Sequence, residues 1–209
     1  MNTEAKKYFY PNNMGRIVLL AMEDVLGRNG LNTVLNLANL SATINDLPPA
    51  NFDRQFSFDH LSSIMSAIES YFGPHAGRGL ALRSGRACLK YGLREYGPLL
   101  GVSDMTFRLL PLATKIKTGA EMFALAFNKF SDQRVRLEDS KDELYWHIEC
   151  CPICFQRNSK DPVCHLAVGI LQEALYWISG GKNFFVEEIA CIAQGNEACI
   201  IKIKKEPLS

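Results

Sequence analysis

The first 130 residues carry apolar side chains at helical spacing. The pattern predicts helices over 14–26, 31–40, 57–72, 75–96 and 106–130, most of them ended by glycine or proline. The fourth contains Gly77, Gly79 and Gly85. Because each glycine inside a helix costs about 1 kcal/mol relative to alanine, we expect a neighbouring helix or a ligand to approach this one closely.

After residue 130 the hydrophobic period changes from helical to alternating. Strands are predicted over 135–139, 144–150, 184–192 and 199–204. Between the two strand pairs, a helix is predicted from Asp161 as N-cap to the pair Gly180-Gly181. This order indicates an α+β fold, with the N-terminal helices packed on one face of a roughly four-stranded antiparallel sheet. We expect one domain over 1–209, with a helical part (1–130) and a part holding the sheet and the cysteines (131–204).

Composition and charge narrow the class of protein. Apolar residues make up 47% of the chain and charged residues 22%, so a substantial core can form. The net charge of +1 gives no general attraction to nucleic acid or to an anionic membrane. No apolar run reaches the roughly 18 residues that a membrane span needs. We therefore expect a soluble, cytoplasmic protein without a membrane span and without direct nucleic-acid binding.

Cysteines are concentrated near the C-terminus. Six of the seven lie in the last sixty residues: Cys150, Cys151, Cys154, Cys164, Cys191 and Cys199. In a reducing cytosol such clustering favours metal or redox chemistry over structural disulfides. The alternative is that cysteines serve as small core residues, which is the expectation for the isolated Cys88.

Three of these cysteines are predicted metal ligands. Cys164 falls near the third position of the predicted helix, where the helix dipole favours a thiolate. Cys191 and Cys199 flank the turn 194–197, which brings both to a hairpin tip. Glu188 is the candidate fourth ligand, but in a regular strand it and Cys191 point to opposite faces. They can share a metal only if the strand bends, bulges or ends between them.

The type of metal is open at this stage. Three thiolates and a carboxylate suit a structural zinc ion. Cys151 and Cys154 have C-x2-C spacing, and with the other thiolates they supply enough ligands for an iron–sulfur cluster. The pair could also form a labile disulfide. A core without metal is the remaining alternative.

The spacing of these residues resembles a known family. The shared positions are Phe185, Glu188, Cys191, Gly195, Cys199 and Ile201, preceded by Pro162-Val163-Cys164-His165. They resemble the 4-vinyl-reductase domain, a small-molecule-binding module, over about residues 130–204. The resemblance implies a fold shared with TRAPP vesicle-tethering subunits and related to haem nitric-oxide sensors. It also implies zinc at Cys164, Glu188, Cys191 and Cys199, an apolar pocket between helices and sheet, and homodimers. The Cys151/Cys154 pair lies outside the minimal motif.

Three functions compete. The first is a non-catalytic sensor or carrier domain for a hydrophobic, aromatic or tetrapyrrole ligand. Its pocket candidates are Phe123, Phe127, Trp146, Tyr176 and Trp177. The second is an iron–sulfur redox protein or a reductase accessory factor in tetrapyrrole metabolism. Because the sequence shows neither a dinucleotide-binding fingerprint nor a nucleophile set, catalysis is the weaker expectation. The third is a scaffold role, which would require a filled core.

Overall fold

A computed structural model describes residues 7–100 and 109–208. Within these ranges the chain has an α+β fold with helices against a four-stranded antiparallel sheet, as predicted. The helices are α1 (Asn12–Leu37), α2 (Phe58–Phe72), α3 (Pro74–Leu100), α4 (Leu112–Phe130) and α5 (His165–Ile178). The strands are β1 (Phe9–Pro11), β2 (Arg54–Ser57), β3 (Arg134–Asp139), β4 (Glu143–Cys150), β5 (Phe184–Ala190) and β6 (Cys199–Pro207). Among the described residues, no helix is long and apolar enough to cross a membrane.

The first two predicted helices form one kinked helix, α1. Gly27, the predicted end of the first, has φ 70° and ψ 165°, outside helical geometry. One residue in this region interrupts the hydrogen-bond ladder and redirects the axis, which glycine does without steric cost. Both segments of α1 still bury apolar side chains, for example Leu19 and Leu35. The prediction of two separate helices was therefore wrong in its connection.

The boundaries of α2 and α4 follow local rules. Ser57 caps α2, since its Oγ accepts a hydrogen bond from the His60 N–H at 3.2 Å. Gly73, with φ 81°, follows the last residue of this helix. For α4, the predicted start at 106–108 lies outside the described residues. Pro111 stands at its N-cap, so the proline precedes the helix and does not kink it.

The main sheet has the strand order β3-β4-β6-β5, with every neighbouring pair antiparallel. In β4 and β6, Trp146 pairs with Ile201 and Ile148 pairs with Cys199. Alternate residues of β6 are buried, beginning with Cys199, as the sequence pattern predicts. The register therefore places Cys199 at the end of the sheet, beside the last residues of β4.

Helices α3 and α5 touch through their backbones at two glycines. A Cβ atom at Gly85 would lie 2.1 Å from the carbonyl oxygen of Leu166. A Cβ atom at Gly169 would lie 2.0 Å from the carbonyl oxygen of Leu82. Helix packing thus explains Gly85 within the glycine-containing helix. The same contact fixes the position of α5, which follows Cys164 directly.

Candidate ligand cavity and metal centre

An apolar cavity of about 150 Å³ lies between the helices and the sheet. Residues of α1, α3, α4, α5, β4 and β6 line it, among them Met14, Leu89, Phe123, Trp146, Ile170 and Ile203. A cavity of this size lined by aliphatic and aromatic side chains stays dry and accepts a molecule such as benzene. The space between helices and sheet is therefore able to hold a small apolar ligand.

Four of the five aromatic residues predicted for the pocket line this cavity: Phe123, Phe127, Trp146 and Trp177. Tyr176 does not line it and is 38% exposed. Neighbouring residues on a helix point about 100° apart, so Tyr176 turns outward when Trp177 turns toward the cavity. Trp177 is itself 38% exposed and stands at the rim.

Trp146 forms the floor of the cavity on the sheet side. Its side chain is only 2% exposed, and its ring centroid lies 5.8 Å from that of Phe123 and 6.2 Å from that of Phe127. These distances are typical of offset or edge-to-face aromatic pairs, which favour a defined ring orientation. The three rings give the cavity a rigid aromatic wall.

Two buried polar pairs interrupt the apolar lining. The Tyr10 hydroxyl donates to Gln133 Oε1, and both residues border the cavity. The Tyr96 hydroxyl donates to Asn13 Oδ1 at 2.5 Å, and Tyr96 also borders it. Burial, the largest cause, raises the pKa of Tyr10 well above its usual value, so this hydroxyl stays protonated at neutral pH. Sequence reasoning missed Tyr10 and Gln133 because they are 123 positions apart.

Five cysteines meet at one end of the sheet, and all five are buried. They are Cys151 and Cys154 after β4, Cys164 before α5, Cys191 after β5 and Cys199 at the start of β6. The Sγ atom of Cys164 lies 3.8 Å from that of Cys191 and 3.6 Å from that of Cys199. The Cys191–Cys199 distance between Sγ atoms is 3.8 Å. Tetrahedral zinc with 2.3 Å bonds to sulfur separates its sulfur ligands by about 3.8 Å. The spacing of the thiols therefore fits one zinc ion.

Glu188 completes this set, and its strand has the required irregularity. The pairing of β5 with β6 shifts register between Glu188 and Ala190, and β5 ends at Ala190. As a result, one ligand atom of Glu188 and the three sulfurs lie within 4.8 Å of one another. Glu188 Oε2 accepts a hydrogen bond from the Cys164 N–H at 2.7 Å, whereas Oε1 is buried without a hydrogen-bond partner. The unpartnered oxygen is a suitable metal ligand.

The surroundings of Glu188 disfavour its charge unless a cation is near. The residue is 8% exposed. Burial, followed by the neighbouring Cys191, raises the pKa of this carboxyl to about 8. A bound divalent ion would supply the positive charge that the protein lacks at this point.

Cys164 occupies a different helix position from the predicted one. It is the N-cap of α5, and the helix begins at His165. Asp161, the predicted N-cap, instead pairs with Arg78 at 2.7 Å. Its carboxylate is therefore satisfied away from the helix terminus, and the residues between it and Cys164 stay outside the helix. The Cys164 sulfur keeps its place near the positive end of the helix dipole.

The C-x2-C pair contacts the same group of thiols. Cys151 Sγ lies 3.5 Å from Cys164 Sγ, and Cys154 Sγ lies 3.3 Å from Cys199 Sγ. Cys151, Cys154, Cys164 and Cys199 form a second set of ligand atoms that all lie within 4.8 Å of one another. Cys88 is outside both sets and lines the cavity, where burial raises the pKa of its thiol to about 12.

The cluster divides its protons unevenly. Burial and the four neighbouring thiols raise the pKa of Cys164 well above the usual value. Burial acts in the same direction on Cys151, but hydrogen bonds from Cys154, Cys164 and Cys199 outweigh it and lower that pKa well below the usual value. Some thiols in the cluster are thus poised to ionise. Thiolate is the form that binds metal.

Residues 144–205 match the family model of the 4-vinyl-reductase domain. The matched segment includes β4, β5, β6, α5 and the five clustered cysteines, and the match confirms the resemblance seen in the sequence. An uncharacterized protein of Methanocaldococcus jannaschii is 32% identical over 66 residues, which are 32% of this chain. The match spans about a third of that relative, 36% of its length.

Solved structures similar to nearly the whole chain are H-NOX domains. An oxygen-binding H-NOX domain related to soluble guanylate cyclases has a TM-score of 0.57 at 14% identity, covering 95% of this chain and 97% of that one. An H-NOX protein from S. oneidensis in the Fe(II)NO state has a TM-score of 0.58 at 12% identity, covering 93% and 99%. At such identities the likeness shows the fold, and it confirms the expected relation to haem nitric-oxide sensors.

Proposed function

We propose that this chain is a non-catalytic binding domain, a sensor or carrier, for a small hydrophobic molecule. The observation that carries the proposal is the apolar cavity bounded by Phe123, Phe127 and Trp146. Ligand pockets are typically concave, apolar and provided with few polar groups. A scaffold role has less support because its expected filled core is absent from this part of the fold.

The chemistry of the lining favours a ligand with about one aromatic ring. The volume of about 150 Å³ fits a benzene-sized molecule. The Tyr10–Gln133 pair offers a hydrogen-bonding site at the wall, which suits a ring bearing one hydroxyl group. A tetrapyrrole would need a several-fold larger cavity. In addition, none of the lining residues in the described ranges is a histidine, the commonest haem ligand in sensors and globins.

The metal centre is proposed to hold zinc through Cys164, Glu188, Cys191 and Cys199. The support is the sulfur spacing of 3.6–3.8 Å and the unpartnered buried oxygen of Glu188. Zinc at this point would fasten the start of α5 to the β5–β6 hairpin and contribute folding energy. Because Leu166 and Ala167 follow Cys164 and line the cavity, the centre would also hold the cavity wall in place.

The iron–sulfur alternative has less structural support. In such a cluster, iron and sulfide ions lie between the protein sulfurs, which must then stand further apart than those of a single metal ion. Here the sulfurs approach to 3.3–3.8 Å. The redox or tetrapyrrole-accessory role that depends on a cluster is therefore the second candidate. Iron with inorganic sulfide in anaerobically purified protein would favour it.

Calorimetric titration with toluene and phenol tests the cavity. Ala120 lines it in α4, and Ala113 is exposed on the same helix. Replacement of Ala120 by leucine adds three carbon atoms to the cavity, so we expect at least a tenfold loss of toluene affinity. The matched control Ala113→Leu should bind as the wild type does. Absence of saturable binding of both probes to the wild type would contradict the proposal.

Dimerisation is a separate proposal that rests on the family resemblance alone. Sedimentation equilibrium of the full chain over a range of concentrations tests it. A mass twice that of the chain supports a homodimer, and a single-chain mass at all concentrations contradicts it.

A further inference from the structure

We infer that the cysteine cluster holds two zinc ions that share the thiolates of Cys164 and Cys199. One ion takes Cys191 and Glu188 as its other ligands, and the second takes Cys151 and Cys154. This goes beyond the single zinc proposed above. It rests on that metal site but not on the ligand cavity.

The first support is the arrangement of the ligand atoms. Two sets of four, each compact enough for one ion, have Cys164 and Cys199 in common. Those two sulfurs are 3.6 Å apart, so they can form the common edge of two tetrahedra. Two four-coordinate ions with two bridging ligands need six ligands in total. The two sets together contain six residues, with none left over.

The second support is the position of the C-x2-C pair. Cys151 lies 3.5 Å from one bridging sulfur and Cys154 lies 3.3 Å from the other. These distances are far longer than the roughly 2.05 Å of a disulfide bond. Each added thiol therefore stands beside a different bridging sulfur, as expected for ligands on the far side of a common edge.

Charge favours two ions over one. All six ligand residues are buried, and in the metal-binding form each carries one negative charge. One divalent ion would leave four of these charges uncompensated if every ligand were ionised. Two divalent ions leave two, which is the net charge of a common structural zinc site with four thiolates. Uncompensated buried charge is costly, so a fully ionised cluster requires the second ion.

A backbone contact supports the bridging role of Cys199. The N–H of Ile192 donates to Cys199 Sγ at 3.3 Å. Hydrogen bonds to a ligand atom orient it and adjust its basicity. Thiolates select borderline and soft metals, so the ions expected at both positions are zinc or other thiophilic metals, and not magnesium or calcium.

Zinc content measured on the full chain after loading and desalting provides the first test. We expect two zinc ions per chain in the wild type and in the control Cys88→Ser, whose sulfur is outside the cluster. The double variant Cys151→Ser/Cys154→Ser should retain one, a twofold loss. One zinc in both the wild type and the double variant would overturn the second site, whereas no zinc in the wild type would refute the proposed zinc site as well.

Titration of the metal-free wild type with Co²⁺, followed by electron paramagnetic resonance, tests the bridge without any variant. The first equivalent should produce a high-spin signal. The second should suppress it, because two cobalt spins couple through shared sulfurs. A signal that doubles at the second equivalent would show separate ions and overturn the inference. Iron with inorganic sulfide in native protein would overturn it too.

Discussion

Replacement of Gly169 by alanine should destabilise the protein, although the same change stabilises most helices. Gly169 lies in α5 at the crossing with α3. The added Cβ would stand 2.0 Å from the Leu82 carbonyl oxygen and 3.1 Å from the Arg86 nitrogen. Both are backbone atoms, so no side-chain rotation relieves the contact. The helices must separate by more than 1 Å to reach the ordinary contact distance of 3.4 Å or more.

The magnitude follows from two opposing effects. Overpacking a tight contact costs roughly 1–3 kcal/mol. Alanine regains about 1 kcal/mol of helix propensity over glycine. We expect a net loss of about 1–2 kcal/mol, because the clash involves two rigid backbones. For a chain of this size, that corresponds to a fall in Tm of roughly 2–8 °C.

Urea denaturation and thermal melting of the zinc-loaded protein, followed by circular dichroism, provide the measurement. Gly79→Ala in α3 is the matched control, since a Cβ atom there meets nothing within 4 Å. This control should gain up to about 1 kcal/mol. Equal stabilisation by Gly79→Ala and Gly169→Ala would refute the close crossing of α3 and α5.

Three further predictions concern the metal site and pH. A strong chelator should lower Tm by at least about 10 °C, because structural zinc contributes folding energy, and added zinc should restore it. Glu188→Gln keeps an acceptor for the Cys164 N–H but loses the charge, so competition with a chromophoric chelator should show at least roughly tenfold weaker zinc binding. Burial, then the charge of Arg136, lowers the pKa of His147. Its contribution to stability is therefore complete above about pH 6.5 and lost as pH falls below it. Urea midpoints at pH 5.5 and 7.5 should differ less in His147→Gln.

Local signals in the sequence were sufficient for several elements. Ser57 predicts the start of α2, since its side chain can satisfy a free helix N–H. The spacing of Glu188 and Cys191 set a geometric condition, an irregular strand between them, and the structure has that irregularity. In both cases the deciding interaction lies within a few residues along the chain.

Features that depend on distant residues could not be read from the sequence. The Tyr10–Gln133 pair joins β1 to the segment before β3, and no local pattern relates them. Asp161 fits the rules for a helix N-cap, but its pairing with Arg78, which lies 83 positions away, moves the helix start to His165. Tertiary contacts of this kind override local preference.

Binding of a small aromatic molecule between α4 and the sheet is the central claim, and one crystal structure tests it most directly. Crystals of the zinc-loaded protein soaked in bromobenzene should show an anomalous bromine peak in the cavity, in contact with Phe123 and Trp146. The peak should be absent in Ala120→Leu. A cavity filled by protein side chains in the wild type, with no bromine among the lining residues, would contradict the account.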